Sequence, residues 1–442
     1  MPYSRDVELA LKKIKAQPGD RVRVKSKKQV FEGVLLPKPE LGGSESNLIL
    51  KLDSGYNVGV SARGAKIEKR EGSVALEKFA AFVPHVRSDL PKLSLVATGG
   101  TVSTRVDYQT GGVYMLGEPE ELLAKVPELS DVANVHRIES PFRMASEDMT
   151  PETWQEIAKT VVKELNSDSS GVIVTHGTDI LAYTAAALSF MIQHQNKPVA
   201  VTGAQRSPDR GSFDGAMNLI CSAQFAKSDC AEVAVVLHGT SSDDYCLANV
   251  GTKTRKMHTS RRDAFRTVNA QPWAKVWPDK GVTFLRRDYN PRNDKTAKAD
   301  VRFEPKVAHV KPWLGASGEL IDYLVKKKYR GIVVEAWALG HVPATSKHSW
   351  VPSIQNAVEK GVAVCFTSQS LYGRVHPYVY ANLRKASFAG ALYLEDMLPE
   401  TAFVKLGCAL GRSKNPARVR QFMLENVAHE YNQRLQQADF LG

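Results

Sequence analysis

Apolar positions between residues 20 and 68 come in short runs that alternate with polar ones. Arg21–Lys25 puts Val22 and Val24 on one face, as a half-buried strand requires. Further runs follow at Val30–Leu36, Leu48–Leu52 and Asn57–Val60, separated by Gly, Pro, Asn and Ser. Asp53-Ser54-Gly55 suits a hairpin turn between the last two. The pattern predicts a small SH3-like β-barrel with too few residues for an active-site cleft of its own. Gly72–Leu90 then reads as a connector.

From Lys92 the period changes. Leu93–Ala97, Gly171–Thr175, Val199–Thr202 and Val233–Leu237 are short apolar runs, the pattern of strands buried on both faces. Glu118–Lys125, Thr153–Leu165 and Ala182–His194 have helical spacing between them. After a polar, basic stretch at Arg286–Lys298 the alternation resumes, with strands at Gly331–Glu335 and Val362–Thr367 and a helix at Ile354–Glu359. This predicts α/β architecture: two α/β domains with a largely parallel sheet, behind the barrel. The expected division is 1–88 for barrel and connector, 89–292 for a large domain carrying the site, and 293–442 for a smaller one.

Composition narrows the setting. With 442 residues, 43% hydrophobic and 24% charged, the chain is globular and too long for one ordinary core. No run approaches the roughly 18 apolar residues that span a bilayer. Met1–Asp20 lacks the apolar centre of a signal peptide, so a cytoplasmic protein is expected. Five scattered cysteines without CxxC spacing read as free thiols rather than disulfides or zinc ligands. The net charge is +12, and residues 1–88 hold 17 Lys/Arg against 10 Asp/Glu. That excess favours contact with a polyanion such as RNA, or simply a soluble basic surface.

In parallel sheets functional groups sit at the carboxyl ends of strands. The loop after the first such strand reads Thr98-Gly99-Gly100-Thr101. Its glycines allow a sharp turn and close approach to a ligand, or merely a turn. The loop after Gly171–Thr175 reads His176-Gly177-Thr178-Asp179. A hydroxyl beside a carboxylate there suits catalysis, although either residue also suits a helix cap. A hydroxyl nucleophile needs activation by a base or a lysine. Lys256, in the polar segment Arg255–Ser260, is a candidate, and in isolation a solvated charge.

Taken together, Leu95–Val102 and Gly171–Asp179 resemble the paired signatures of the asparaginase/glutaminase family, in order and 77 positions apart from Thr101 to Thr178. The resemblance covers roughly residues 90–440 and implies an asparaginase-like fold. It assigns Thr101 as nucleophile, and Thr178, Asp179 and Lys256 as a hydrogen-bonded group that activates a hydroxyl or water. It places Ser146 and Glu147 at the substrate's α-carboxylate and α-ammonium, and Gly100 beside the developing oxyanion. A tyrosine in the loop after the nucleophile completes the set, with Tyr108 the first choice and Tyr114 the second.

A basic barrel ahead of such a domain is similar to the GatD family of archaeal glutamyl-tRNA(Gln) amidotransferases. Thr202–Asp209, Arg255–Phe265 and Glu395–Ala402 carry that likeness. Glu335-Ala336-Trp337-Ala338-Leu339-Gly340-His341 departs from it, since the family carries small residues before Leu-Gly-His. The likeness implies glutamine hydrolysis without metal or cofactor in this chain. It further implies a GatE-type partner that holds ATP, magnesium and Glu-tRNA(Gln), and a homodimer within an α2β2 assembly. The competing readings are a stand-alone cytoplasmic L-asparaginase/glutaminase with an appended barrel, and a non-catalytic RNA-binding scaffold.

Overall fold

The computed structural model describes residues 3–26, 29–37, 46–54, 56–71, 87, 89–100, 104–106, 113–115, 123, 125–208 and 212–440, with backbone alone at 104–106 and 113–115. At the amino end, five short strands form an antiparallel sheet in the order Asn57–Ser61, Asn47–Lys51, Val30–Leu35, Arg21–Lys25, Lys66–Lys69. Val22, Val24, Leu35, Leu48, Leu50 and Val60 fill its core. A helix, Arg5–Lys13, covers it with Val7 and Leu11, which lie four residues apart on one helical face. The sequence pattern missed that helix and the strand Lys66–Lys69. The strand's four residues, Lys-Ile-Glu-Lys, offer a single apolar position.

The main sheet has eight strands, in the order Gly281–Phe284, Ala274–Trp277, Cys246–Val250, Val233–His238, Val199–Thr202, Val172–Thr175, Lys92–Ala97, Asn134–Glu139. The last five run parallel. The first three extend the sheet antiparallel, so it is mixed rather than uniformly parallel. A second sheet is wholly parallel: Val307–Val310, Gly331–Ala336, Ala363–Ser368, Leu392–Tyr393.

Helix Leu181–Met191 is apolar all round, because the sheet lies on one side and helix Pro399–Arg412 on the other. It ends at Met191, not at His194 as its spacing suggested. Ile192–Gln193 leaves the helix to pair with Lys298–Ala299, and His194 takes φ +55°. Helix Pro399–Arg412 also packs on the strand Gly331–Ala336 and so joins the two sheets. Its Lys405 is wholly buried against Glu430 at 2.5 Å, which ties down the carboxyl-terminal segment. All five cysteines are buried and unpaired. Among the described residues no helix is long and apolar enough to cross a membrane. The helix expected at Glu118–Lys125 lies outside the described residues apart from positions 123 and 125.

Candidate active site

Four loops leave the carboxyl ends of neighbouring parallel strands and converge. Register aligns them: Thr175 sits opposite Ala97 on one side and Thr202 on the other. Gly100, at φ +85°, presses against the Gly177 backbone so closely that a Cβ would overlap it. A Cβ on Gly177 would lie 2.7 Å from the Ser146 hydroxyl oxygen. One on Gly203 would lie 3.2 Å from Thr178 Cγ2. Glycines at these points let the first signature loop, the serine turn and the second signature loop stack without side chains between them. Thr98 supports the stack by donating its hydroxyl to the Thr175 carbonyl at 2.9 Å.

Lys256 stands at the end of a short strand, Thr254–Lys256, paired antiparallel with Phe265–Thr267. The sequence had suggested a polar segment without such structure. Its ammonium donates to Thr178 Oγ1 and to Asp179 Oδ1, each at 2.9 Å. The lysine side chain is 17% exposed and the Asp179 side chain 63%. Thr178 itself is buried. Thus a hydroxyl, a carboxylate and an ammonium separated by up to 78 positions form one hydrogen-bonded unit at a strand end. The charge-assisted contact from the ammonium polarises the Thr178 hydroxyl, while the contact to Asp179 holds the ammonium in place.

His176 was legible only as part of a motif, and the structure shows what holds it. Its ring is buried, between the Thr184 hydroxyl at 2.9 Å and the Gly177 carbonyl at 2.7 Å. Trp154 Nε1, which can only donate, gives its proton to Thr184 Oγ1 at 3.0 Å. The Thr184 proton therefore goes to His176 Nε2, and His176 Nδ1–H donates to Gly177. Burial lowers the imidazole pKa to about 4, so the ring is neutral. The Gly177–Thr178 peptide is trans, so a carbonyl held towards His176 turns the Thr178 N–H the opposite way.

Ser146 is buried in a short 3-10 turn, Ser146–Asp148, and Glu147 is exposed beside it. Thr101 and Tyr108 lie outside the described residues, and Tyr114 is described by backbone alone. The loop after Val199–Thr202 is pinned by buried Asp214, whose carboxylate accepts Gln205 N–H at 3.0 Å and Arg206 N–H at 2.9 Å. No spacing rule pointed to Asp214. In the departing segment, Trp337 and His341 exchange backbone bonds of 3.0 and 2.8 Å across a tight turn in which exposed Ala338 takes φ +46°.

Comparison with known proteins agrees with this layout. The family description "Asparaginase, N-terminal" matches residues 92–289, "Glutaminase/Asparaginase C-terminal domain" matches 306–423, and "GatD N-terminal domain" matches 16–69. The GatD chain of the glutamyl-tRNA(Gln) amidotransferase from Pyrococcus abyssi is 48% identical over 436 residues, covering 96% of this chain and 97% of that protein. Its counterpart from Methanothermobacter thermautotrophicus is 41% identical over 443 residues, covering both chains fully at 100%. Among solved structures, the thermostable L-asparaginase from Thermococcus kodakarensis superposes with a TM-score of 0.67 at 26% identity, over 78% of this chain and 100% of its own. L-asparaginase I from Vibrio cholerae gives 0.65 at 25% identity, over 78% and 99%.

Proposed function

Because the chain belongs to the GatD family of glutamyl-tRNA(Gln) amidotransferases, we propose that it is the glutaminase subunit of the enzyme that converts Glu-tRNA(Gln) to Gln-tRNA(Gln). The observation that carries this is the Lys256 ammonium bridging Thr178 and Asp179. In this reading Thr101 attacks the side-chain amide carbon of glutamine, and ammonia leaves an acyl-enzyme. The Thr178 N–H, turned outward by the bond between His176 and Gly177, stabilises the oxyanion together with an N–H near Gly100. Such a donor typically contributes about 2.7–4 kcal/mol. Asp179 holds Lys256 in place through its hydrogen bond, and water near Thr178 and Lys256 then releases glutamate. Ser146 and Glu147 hold the substrate's α-carboxylate and α-ammonium, and Tyr108 completes the catalytic set.

Ammonia is wasted once it is protonated in bulk water, so a GatE-type partner must receive it directly. In this reading that partner binds Glu-tRNA(Gln), ATP and magnesium in the cytoplasm, within an α2β2 assembly built on a homodimer of this chain. The division at 88/89 and 292/293 separates a barrel that serves the complex from the domains that serve glutamine. The wild-type chain, with and without its partner subunit and tRNA, is to be assayed for ammonia release beside the Lys256→Met and Thr101→Val variants. Both variants should lose hydrolysis by at least about 100-fold while melting like the parent. Rapid turnover of asparagine by the isolated chain, indifferent to tRNA, would favour the stand-alone asparaginase instead.

A further inference from the structure

Two stretches conspicuous in the sequence, Arg255–Phe265 and Glu395–Ala402, contribute only Lys256 to the reaction just described, yet they meet in space. Side chains alternate in direction along an extended strand. Lys256 faces Thr178 and Asp179. Arg255 faces the other way, and it and Lys253, in the turn just before the strand, reach two carboxylates of the second domain. Lys253 Nζ lies 2.7 Å from Asp396 Oδ2, and Arg255 Nη1 lies 3.3 Å from Glu400 Oε1. The first pair is sealed from solvent, with side chains 1% and 0% exposed.

Each neighbour of that pair is also tied. Asp396 accepts the Asn432 backbone N–H at 2.7 Å and its side-chain amide at 2.9 Å. Thr252 is gripped from both sides: its hydroxyl donates to the Ala428 carbonyl at 2.7 Å, and its carbonyl accepts the Thr401 hydroxyl at 2.6 Å. Val268 N–H donates to the Lys253 carbonyl at 2.9 Å. Asp396, Glu400 and Thr401 all belong to helix Pro399–Arg412 or the turn that leads into it. That helix packs along Leu181–Met191, the helix that begins directly after Thr178 and Asp179. One body therefore holds both partners of the lysine–threonine contact.

An apolar pair at 253 and 396 would fill the same space, and burying charge is unfavourable unless it is paired. A directional ion pair adds a fixed position for the backbone three residues before Lys256. We propose that Asp396 and Glu400 are positioning residues for Lys256, acting through Lys253 and Arg255, so that the second domain sets the reach of the ammonium. This rests on the reading of Lys256 as the activating lysine.

Asp396→Asn strands a buried ammonium, so the partly exposed pair gives the cleaner test. Glu400→Gln and Arg255→Gln are made in the full-length protein, in the complex in which it purifies, each alone and combined with Lys256→Met. Glutamine hydrolysis is followed with labelled substrate, and thermal melting in parallel. Each single variant should lower kcat about tenfold and leave KM within about twofold, because a misplaced group raises the barrier without removing binding. Melting should not change, and neither variant should reduce the residual rate of Lys256→Met further. An equal loss in both backgrounds, an effect confined to KM, or no effect would overturn the clamp and leave the site's reading intact. Parental turnover in Lys256→Met alone would sink both.

Discussion

At the scale of the residue, His176 shows how a side chain outside the reacting set can matter. Its folded pKa of about 4 lies below the ordinary 6.5 because burial disfavours the imidazolium. Between those two pH values the unfolded chain binds a proton that the folded chain refuses. Stability from this group is therefore complete above pH 6.5 and is lost as the pH falls towards 4, a difference on the order of 3 kcal/mol. Denaturant titrations at pH 7.5 and pH 5 should show about 2 kcal/mol of that loss in the parent and a flatter dependence in His176→Gln. Equal slopes in both proteins would mean that other groups carry the acid sensitivity. Lys253 makes the opposite point. Burial lowers its pKa while Asp396 raises it, and the pair is kept by geometry rather than by exposure. In a polar run of sequence such a lysine reads as solvated, and only the fold shows that it is 1% exposed.

At the scale of the element, the site depends on loops that can touch because glycine lines them. Gly100 combines φ +85° with a backbone neighbour that has nowhere to move. Gly100→Ala should cost about 1–2 kcal/mol through the left-handed conformation alone. Displacing the first loop from the second should also lower kcat by about 100-fold. Thermal melting and initial rates measured on the same preparation would check both; a fully active, normally stable variant would mean that the loops do not need this contact. Their strands were legible because Leu93–Ala97, interrupted only by Ser94, and Val172–Val174 are short apolar runs. The end of helix Leu181–Met191 was not legible. Ile192–Gln193 has a partner more than a hundred positions away, and helical spacing carries no record of it.

At the scale of the molecule, the small antiparallel sheet and its covering helix form a core of their own at the amino end. Removal of residues 1–85 should leave a folded chain that still hydrolyses glutamine and should weaken delivery of ammonia to aminoacyl-tRNA. Ammonia release and Gln-tRNA formation, measured side by side with the partner subunit, separate those effects; unchanged coupling would assign the segment another task. Some strand cations here are already engaged, Arg21 with Glu32 and Asp53, and Lys69 with Asp20. A patch for a polyanion must therefore be sought away from these pairs. Helix Pro399–Arg412 does for the larger unit what the covering helix does for the smaller one, because it packs on both a helix of the first sheet and a strand of the second.

The main alternation of strands and helices and the glycine-lined turns beside Thr178 and Asp179 were readable from the chain, since periodicity and motif are local properties, whereas Lys256 by itself read as a solvated charge. Family resemblance supplied the roles of Thr178, Asp179 and Lys256, and those of Thr101 and Tyr108, which lie outside the described residues. Tertiary structure alone decided that the main sheet ends in three antiparallel strands, that His176 is locked in one neutral form, and that Lys253 is paired 143 positions away with Asp396. The reason is the range of the forces involved. Backbone preference acts over a few residues, whereas burial and the pairing of charge depend on whatever the folded chain brings alongside.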